Sequence, residues 1–92
     1  MSILLYQTNK KIMDKKFGIK VIKDEVEILL KEYRVSHVVD FDNGDVIIAC
    51  TNKKNTQFVY ANLKTRYDNK KFWGYTSNII IKNDYIVRIS LV

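Results

Sequence analysis

Asn43-Gly44 sits between two aspartates and two apolar runs, and both residues tolerate positive φ, so this dipeptide predicts a type I′ turn joining two antiparallel strands. A two-residue loop sets the register: Phe41 faces Val46, Val39 faces Ile48 and His37 faces Cys50. Beyond Arg34 the chain continues as β-branched and aromatic blocks separated by Asn-Lys-Lys-Asn at 52–55 and Lys-Asn-Asp at 82–84. Taking those as turns pairs Ile48 with Val59, Ile81 with Ile86 and Ile80 with Val87. Alternation then sorts the first three strands into two faces. Val39, Phe41, Val46, Ile48, Cys50, Val59, Ala61 and Leu63 form the expected core face. Val38, Asp40, Ile47, Ala49, Phe58, Tyr60, Asn62, Lys64 and Arg66 form the other.

The N-terminal third reads differently. Ser2 to Gln7 is a short apolar run that reads equally as an edge strand or a first helical turn, the strand being preferred, and Ile12, Met13 and Phe17 followed by Gly18 predict a short helix over 9–17 that ends on the glycine. Asp24 with Glu27 three residues on has the form of a capping box. Val26, Leu29, Leu30 and Tyr33 follow at i, i+3, i+4, i+7, the stripe of a second helix. The expected architecture is a single α+β domain over 1–92: a short N-terminal strand and two short helices packed on one face of a 4–5-stranded antiparallel β-meander.

Composition narrows what such a domain does. About half of the 92 residues are apolar, too many for a disordered chain, and no apolar run approaches the ~20 residues that cross a bilayer. The first residues lack the basic and apolar regions of a signal peptide, so a cytoplasmic protein is expected. Absent proline and abundant Lys, Asn and Ile suggest an AT-rich coding sequence of the kind found in low-GC bacteria and their phages, which would place the chain in a host cytoplasm. One cysteine forms no internal disulfide, and no spacing of Cys and His marks a zinc site. Neither a cofactor nor a metal is expected.

A formal net charge of +6 favours polyanionic partners. The charge is uneven: residues 36–52 carry Asp40, Asp42 and Asp45 and no Lys or Arg, whereas 53–72 carry six cations against Asp68 alone. Aromatic side chains are interleaved with those cations. Lys53, Lys54, Phe58, Tyr60, Lys64, Arg66, Tyr67, Lys70, Lys71 and Trp73 are therefore the candidate binding residues, the cations for phosphates and the rings for stacking unpaired bases.

Catalytic patterns are incomplete. The aspartates around Asn43 resemble a calcium loop, but Gly44 stands at position five rather than six and no Glu follows at twelve. His37 opposite Cys50 has the residue types of a nucleophilic pair, yet Cys50 falls on the core face, where a thiol behaves as a small hydrophobe. Three isolated glycines make no phosphate loop. Lys71-Phe72-Trp73-Gly74-Tyr75 is similar to the aromatic strand motif of RNA-recognition domains at four positions. It departs where Phe72 replaces a glycine and Asn78 the last aromatic, and that family is not carried over.

Three functions follow as expectations. The first is a small non-enzymatic binding protein, a phage or mobile-element accessory or inhibitor, that holds nucleic acid or a nucleic-acid-associated protein on a basic aromatic sheet face. The second is a protein-interaction module that inhibits a host enzyme, with homodimerisation through an apolar sheet face as its structural variant. The third rests on topology alone: strand, two helices and antiparallel sheet in a basic chain resembles RelE-type ribosome-dependent ribonuclease toxins. Those toxins use clustered Arg and Lys with an aromatic or His, and the resemblance nominates Arg66, Lys71, Tyr75 and Arg88.

Overall fold

The computed structural model describes the backbone of residues 3–72 and 74–92 and the side chains of 15–72 and 74–92. Helix α1 spans Ile3–Glu32 without a break. Of the segment 2–7, Ser2 lies outside the described residues and residues 3–7 are helical rather than strand; no helix ends at Gly18, which lies inside α1. The continuity has a clear cause in the buried residues Ile19, Ile22, Val26 and Leu30, at i, i+3, i+7, i+11, which form one stripe starting directly after the glycine. Asp24 and Glu27 are consequently not capping groups. They accept from Lys20 at 2.9 Å and Lys23 at 2.5 Å, each one turn earlier on the same helix. The helix ends where Arg34 takes φ 56°. There the Arg34 N–H donates to the Lys31 carbonyl and the Val35 N–H to that of Leu30, the two bonds of a Schellman motif built without glycine.

Strands β1 (His37–Asp42) and β2 (Asp45–Cys50) form the hairpin expected of Asn43-Gly44, whose φ values are 51° and 80°. All three expected pairs are present: Phe41 with Val46, Val39 with Ile48, His37 with Cys50. The register also sets Asp42 against Asp45, a like-charge pair that needs compensation. Arg88, paired with Ile47 on the other side of β2, supplies it. Its guanidinium donates to Asp45 Oδ2 at 2.6 Å and to Asp42 Oδ2, with a further contact to the Asp42 carbonyl at 3.4 Å.

The meander is interrupted. Residues expected as the third strand form helix α2 (Lys53–Tyr67), followed by β3 (Lys70–Phe72), β4 (Tyr75–Asn83) and β5 (Ile86–Leu91). The five strands order β1-β2-β5-β4-β3, all neighbours antiparallel, so α2 carries the chain from the second strand across to the far edge. The expected pairing of Ile48 with Val59 does not exist, because Val59 is helical and Ile48 pairs with Val87. In the last hairpin Ile81 pairs with Val87 and Asn83 with Ile86, one residue off the expected register. The irregularity between Ile81 and Asn83 absorbs the difference.

Both helices lie on one sheet face, α1 over β1, β2 and β5 and α2 over β2, β4 and β5. Val46, Ile48, Cys50, Ile79, Val87, Ile89 and Leu91 point into that layer and meet Ile22, Val26, Leu30, Val59, Leu63 and Tyr67. Phe41, expected in the core, is 47 % exposed. The opposite face carries Val38, Asp40, Ile47, Ala49, Ile80, Ile86 and Arg88 and is covered by no helix. No helix among the described residues is long and apolar enough to cross a membrane.

Candidate nucleic-acid interface

Nine of the ten candidate binding residues lie on α2 and β3. The helix starts at Asn52, an N-cap whose side-chain oxygen accepts the Asn55 N–H at 2.8 Å, while Thr56 Oγ1 donates to the Asn52 carbonyl at 3.0 Å. It ends at Asp68, whose N–H donates to the Lys64 carbonyl at 2.9 Å. Asn69 then takes φ 54° and turns the chain into β3. Between those caps Thr56, Val59, Leu63 and Tyr67 are buried at i, i+3, i+7, i+11. That burial fixes where every other α2 residue points.

Phe58 packs edge-on against Tyr33, the residue just past the end of α1, ring centroids 5.7 Å apart at 86°. Two residues further along a helix is about 200° of rotation, so Tyr60 points away from α1, on the flank towards the β3 edge. Lys53, Gln57 and Lys64 share that flank at i−7, i−3 and i+4, with Lys64 Nζ 5.6 Å from the centre of the Tyr60 ring. On β3, Lys70 pairs with buried Ser77 and so projects on the helical side. Lys71 pairs with Thr76, donates to its Oγ1 at 3.2 Å, and lies on the open face. The structure thus brings Lys53, Tyr60, Lys64 and Lys70 to one side of the molecule, with Lys54 at the start of the same helix.

The remaining candidates separate from that group. Arg66 is exposed on the other flank of α2. Tyr67 is buried and donates its hydroxyl proton to Glu25 Oε1 at 2.9 Å, so its ring belongs to the core. Burial first, then the bond to Glu25 and that carboxylate's charge, push the Tyr67 hydroxyl well above the ordinary tyrosine range. Trp73 lies outside the described residues. Gln57 was absent from the sequence reading, and only the helical period of the segment brings it into the stripe.

Electrostatically the region is one-sided. Lys53, Lys54, Lys64, Arg66, Lys70 and Lys71 are all exposed, and among the described residues none forms an ion pair. Lys53 and Lys54 occupy the first turn of α2, which holds no acid, although the helix dipole disfavours cations there by a few tenths of a kcal/mol. Helix stability therefore does not account for their position.

The residues considered for catalysis are otherwise engaged. Cys50 is buried, and that burial raises its thiol above the ordinary value, against a smaller opposing effect of the bond to Thr56. His37 Nδ1 lies 2.5 Å from the Val35 carbonyl, so this nitrogen donates to backbone and does not accept from a thiol. Arg88 is held by Asp42 and Asp45. The element order helix, two strands, helix, three strands also differs from the strand, two helices and sheet on which the resemblance to RelE-type toxins rested. No family model, curated protein or solved structure matches the chain.

Proposed function

We propose that the chain is a non-catalytic protein that binds nucleic acid through its phosphates along α2 and the β3 edge. The observation that carries this reading is the set of exposed cations Lys53, Lys54, Lys64 and Lys70 on consecutive elements, with no carboxylate partner among the described residues, two of them placed against the helix dipole. Phosphate contact is favoured over base stacking because the aromatic side chains serve the fold. Tyr67 is core, Phe58 packs on Tyr33, and Tyr60 is half-buried under Lys64. Binding is then tolerant of sequence and steep in salt.

Fluorescence anisotropy with a labelled single-stranded oligonucleotide and a duplex of equal length, from about 50 to about 300 mM salt, tests the reading. Lys53→Gln with Lys64→Gln is expected to lower affinity and flatten the single-strand salt slope by about 1.4, roughly 0.7 per lost phosphate contact. Lys15→Gln with Lys16→Gln removes the same charge from α1 and is expected to leave most of the affinity. Equal losses in the two variants would mean that net charge alone acts, and the α2 assignment would fall.

A second reading, a protein partner, draws on the open sheet face, where Val38 is 66 % and Ile80 52 % exposed. The partner would be another protein or a second copy of the chain.

A further inference from the structure

A groove of about 490 Å³ lies between α1 and the tip of the β1–β2 hairpin, at the end of the sheet away from β3. That volume falls within the roughly 300–1,000 Å³ typical of small-molecule sites. Its walls are Lys15, Lys16, Ile19 and Lys20 on one side and Phe41 and Gly44 on the other. The lining surface is almost entirely carbon: the Phe41 ring, the Ile19 side chain and the aliphatic stems of the lysines, which keep their ammonium groups at the rim. At Gly44 no atom lies within 4 Å of where a Cβ would stand, so the hairpin end of the groove is open.

The rim charges are not equally engaged. Lys20 pairs with Asp24, and Lys23, which sits 5.3 Å from the Phe41 ring centre, pairs with Glu27. Lys15 and Lys16 are exposed and form no ion pair among the described residues. An apolar trough bordered by cations that are unpaired among the described residues matches a ligand with an apolar body and one anionic end. A nucleotide fits less well, since the polar edges of its base would face carbon and lose their hydrogen bonds to water without replacement.

We propose that this groove binds a single-chain anionic amphiphile such as an alkyl carboxylate, its tail along Ile19 and Phe41 and its head group between Lys15 and Lys16. The site is separate from the α2 flank and stands whether or not that flank binds nucleic acid.

Isothermal titration of the full chain with laurate below its micelle concentration tests this. Saturable one-to-one binding is expected. Decanoate, two methylenes shorter, is expected to bind about tenfold more weakly if the tail is buried. Dodecyltrimethylammonium, with the same tail and the opposite charge, is expected not to bind. Lys15→Gln with Lys16→Gln, at exposed positions, should weaken laurate at least several-fold, and Phe41→Gln should abolish the dependence on chain length. No saturable laurate binding would overturn the proposal, as would equal binding of the cationic amphiphile. So would sedimentation with phosphatidylcholine vesicles containing phosphatidylglycerol in the absence of laurate binding, which would mean adsorption to a charged membrane surface.

Discussion

Arg88 shows how one residue can settle a problem that its neighbours in sequence only pose. The two-residue turn sets Asp42 against Asp45. The fold keeps the short turn and brings a guanidinium from β5, more than forty residues away, to both carboxylates. A contact so distant leaves no trace in local pattern. The same holds for Tyr67, a basic-segment aromatic by sequence that is instead a core ring with its hydroxyl on Glu25. Its ionisation gives a pH test. The hydroxyl titrates higher in the folded chain than the ~10 of an unfolded tyrosine. Below pH ~10 both states are protonated and its contribution is complete. Above that the unfolded chain sheds the proton first, so stability falls as pH rises towards the folded value, by at most about 1.4 kcal/mol per pH unit. Tyr67→Phe is expected to cost about 1 kcal/mol at pH 8, because exposed Glu25 regains water in place of the lost donor. It should also lose less stability than the parent between pH 10 and 11. Urea titrations at pH 8, 10 and 11 read both numbers, and parallel alkaline losses in parent and variant would refute the assignment.

At the scale of elements, the hairpin was legible and α2 was not, for related reasons. Asn43-Gly44 admits few backbone solutions, so its reading carried the β1–β2 register with it. Residues 56–66 admit two. Phe58, Tyr60, Asn62 and Lys64 alternate with Val59, Ala61 and Leu63 as a strand would, and the β-branched and aromatic content agrees. Thr56, Val59, Leu63 and Tyr67 equally satisfy a helical period, and Asn52 is as good an N-cap as a turn residue. Tertiary packing chose the helix, and the candidate site changed from a sheet face to a helix flank. The two readings differ most at Ala61, which a strand would bury and α2 exposes. Ala61→Glu should therefore change stability by no more than about 0.5 kcal/mol, whereas Val59→Ala, at a fully buried position, should cost about 2 kcal/mol. Denaturant midpoints for the pair decide it, since a strongly destabilised Ala61→Glu is incompatible with α2 as described.

Across the whole molecule the two sheet faces are unequal. β5 lies between β2 and β4 and both helices cover the same side, so that face holds the core residues Val46, Ile48, Val87 and Ile89. The other side is left with Val38, Ile47, Ile80 and Ile86 around the Arg88 cluster, apolar residues that no helix among the described residues covers. Sequence alternation predicted that such a second face would exist, but not its membership, because half of it comes from β4 and β5, which were not placed beside β2. If the open face contributes nothing to the fold of one chain, Val38→Lys and Ile80→Lys should each leave the denaturation midpoint within about 0.5 kcal/mol of the parent. Ile89→Val, buried on the opposite side, should cost about 1 kcal/mol. Light scattering on the same proteins separates the two uses of the face. A parent that is dimeric, with both lysine variants monomeric, assigns it to a second copy of the chain. A parent that is monomeric, with stability untouched by either lysine, leaves it free for a different protein. Destabilisation of the monomer by either lysine would show that the face is part of the fold after all, and would remove the structural basis for any partner there.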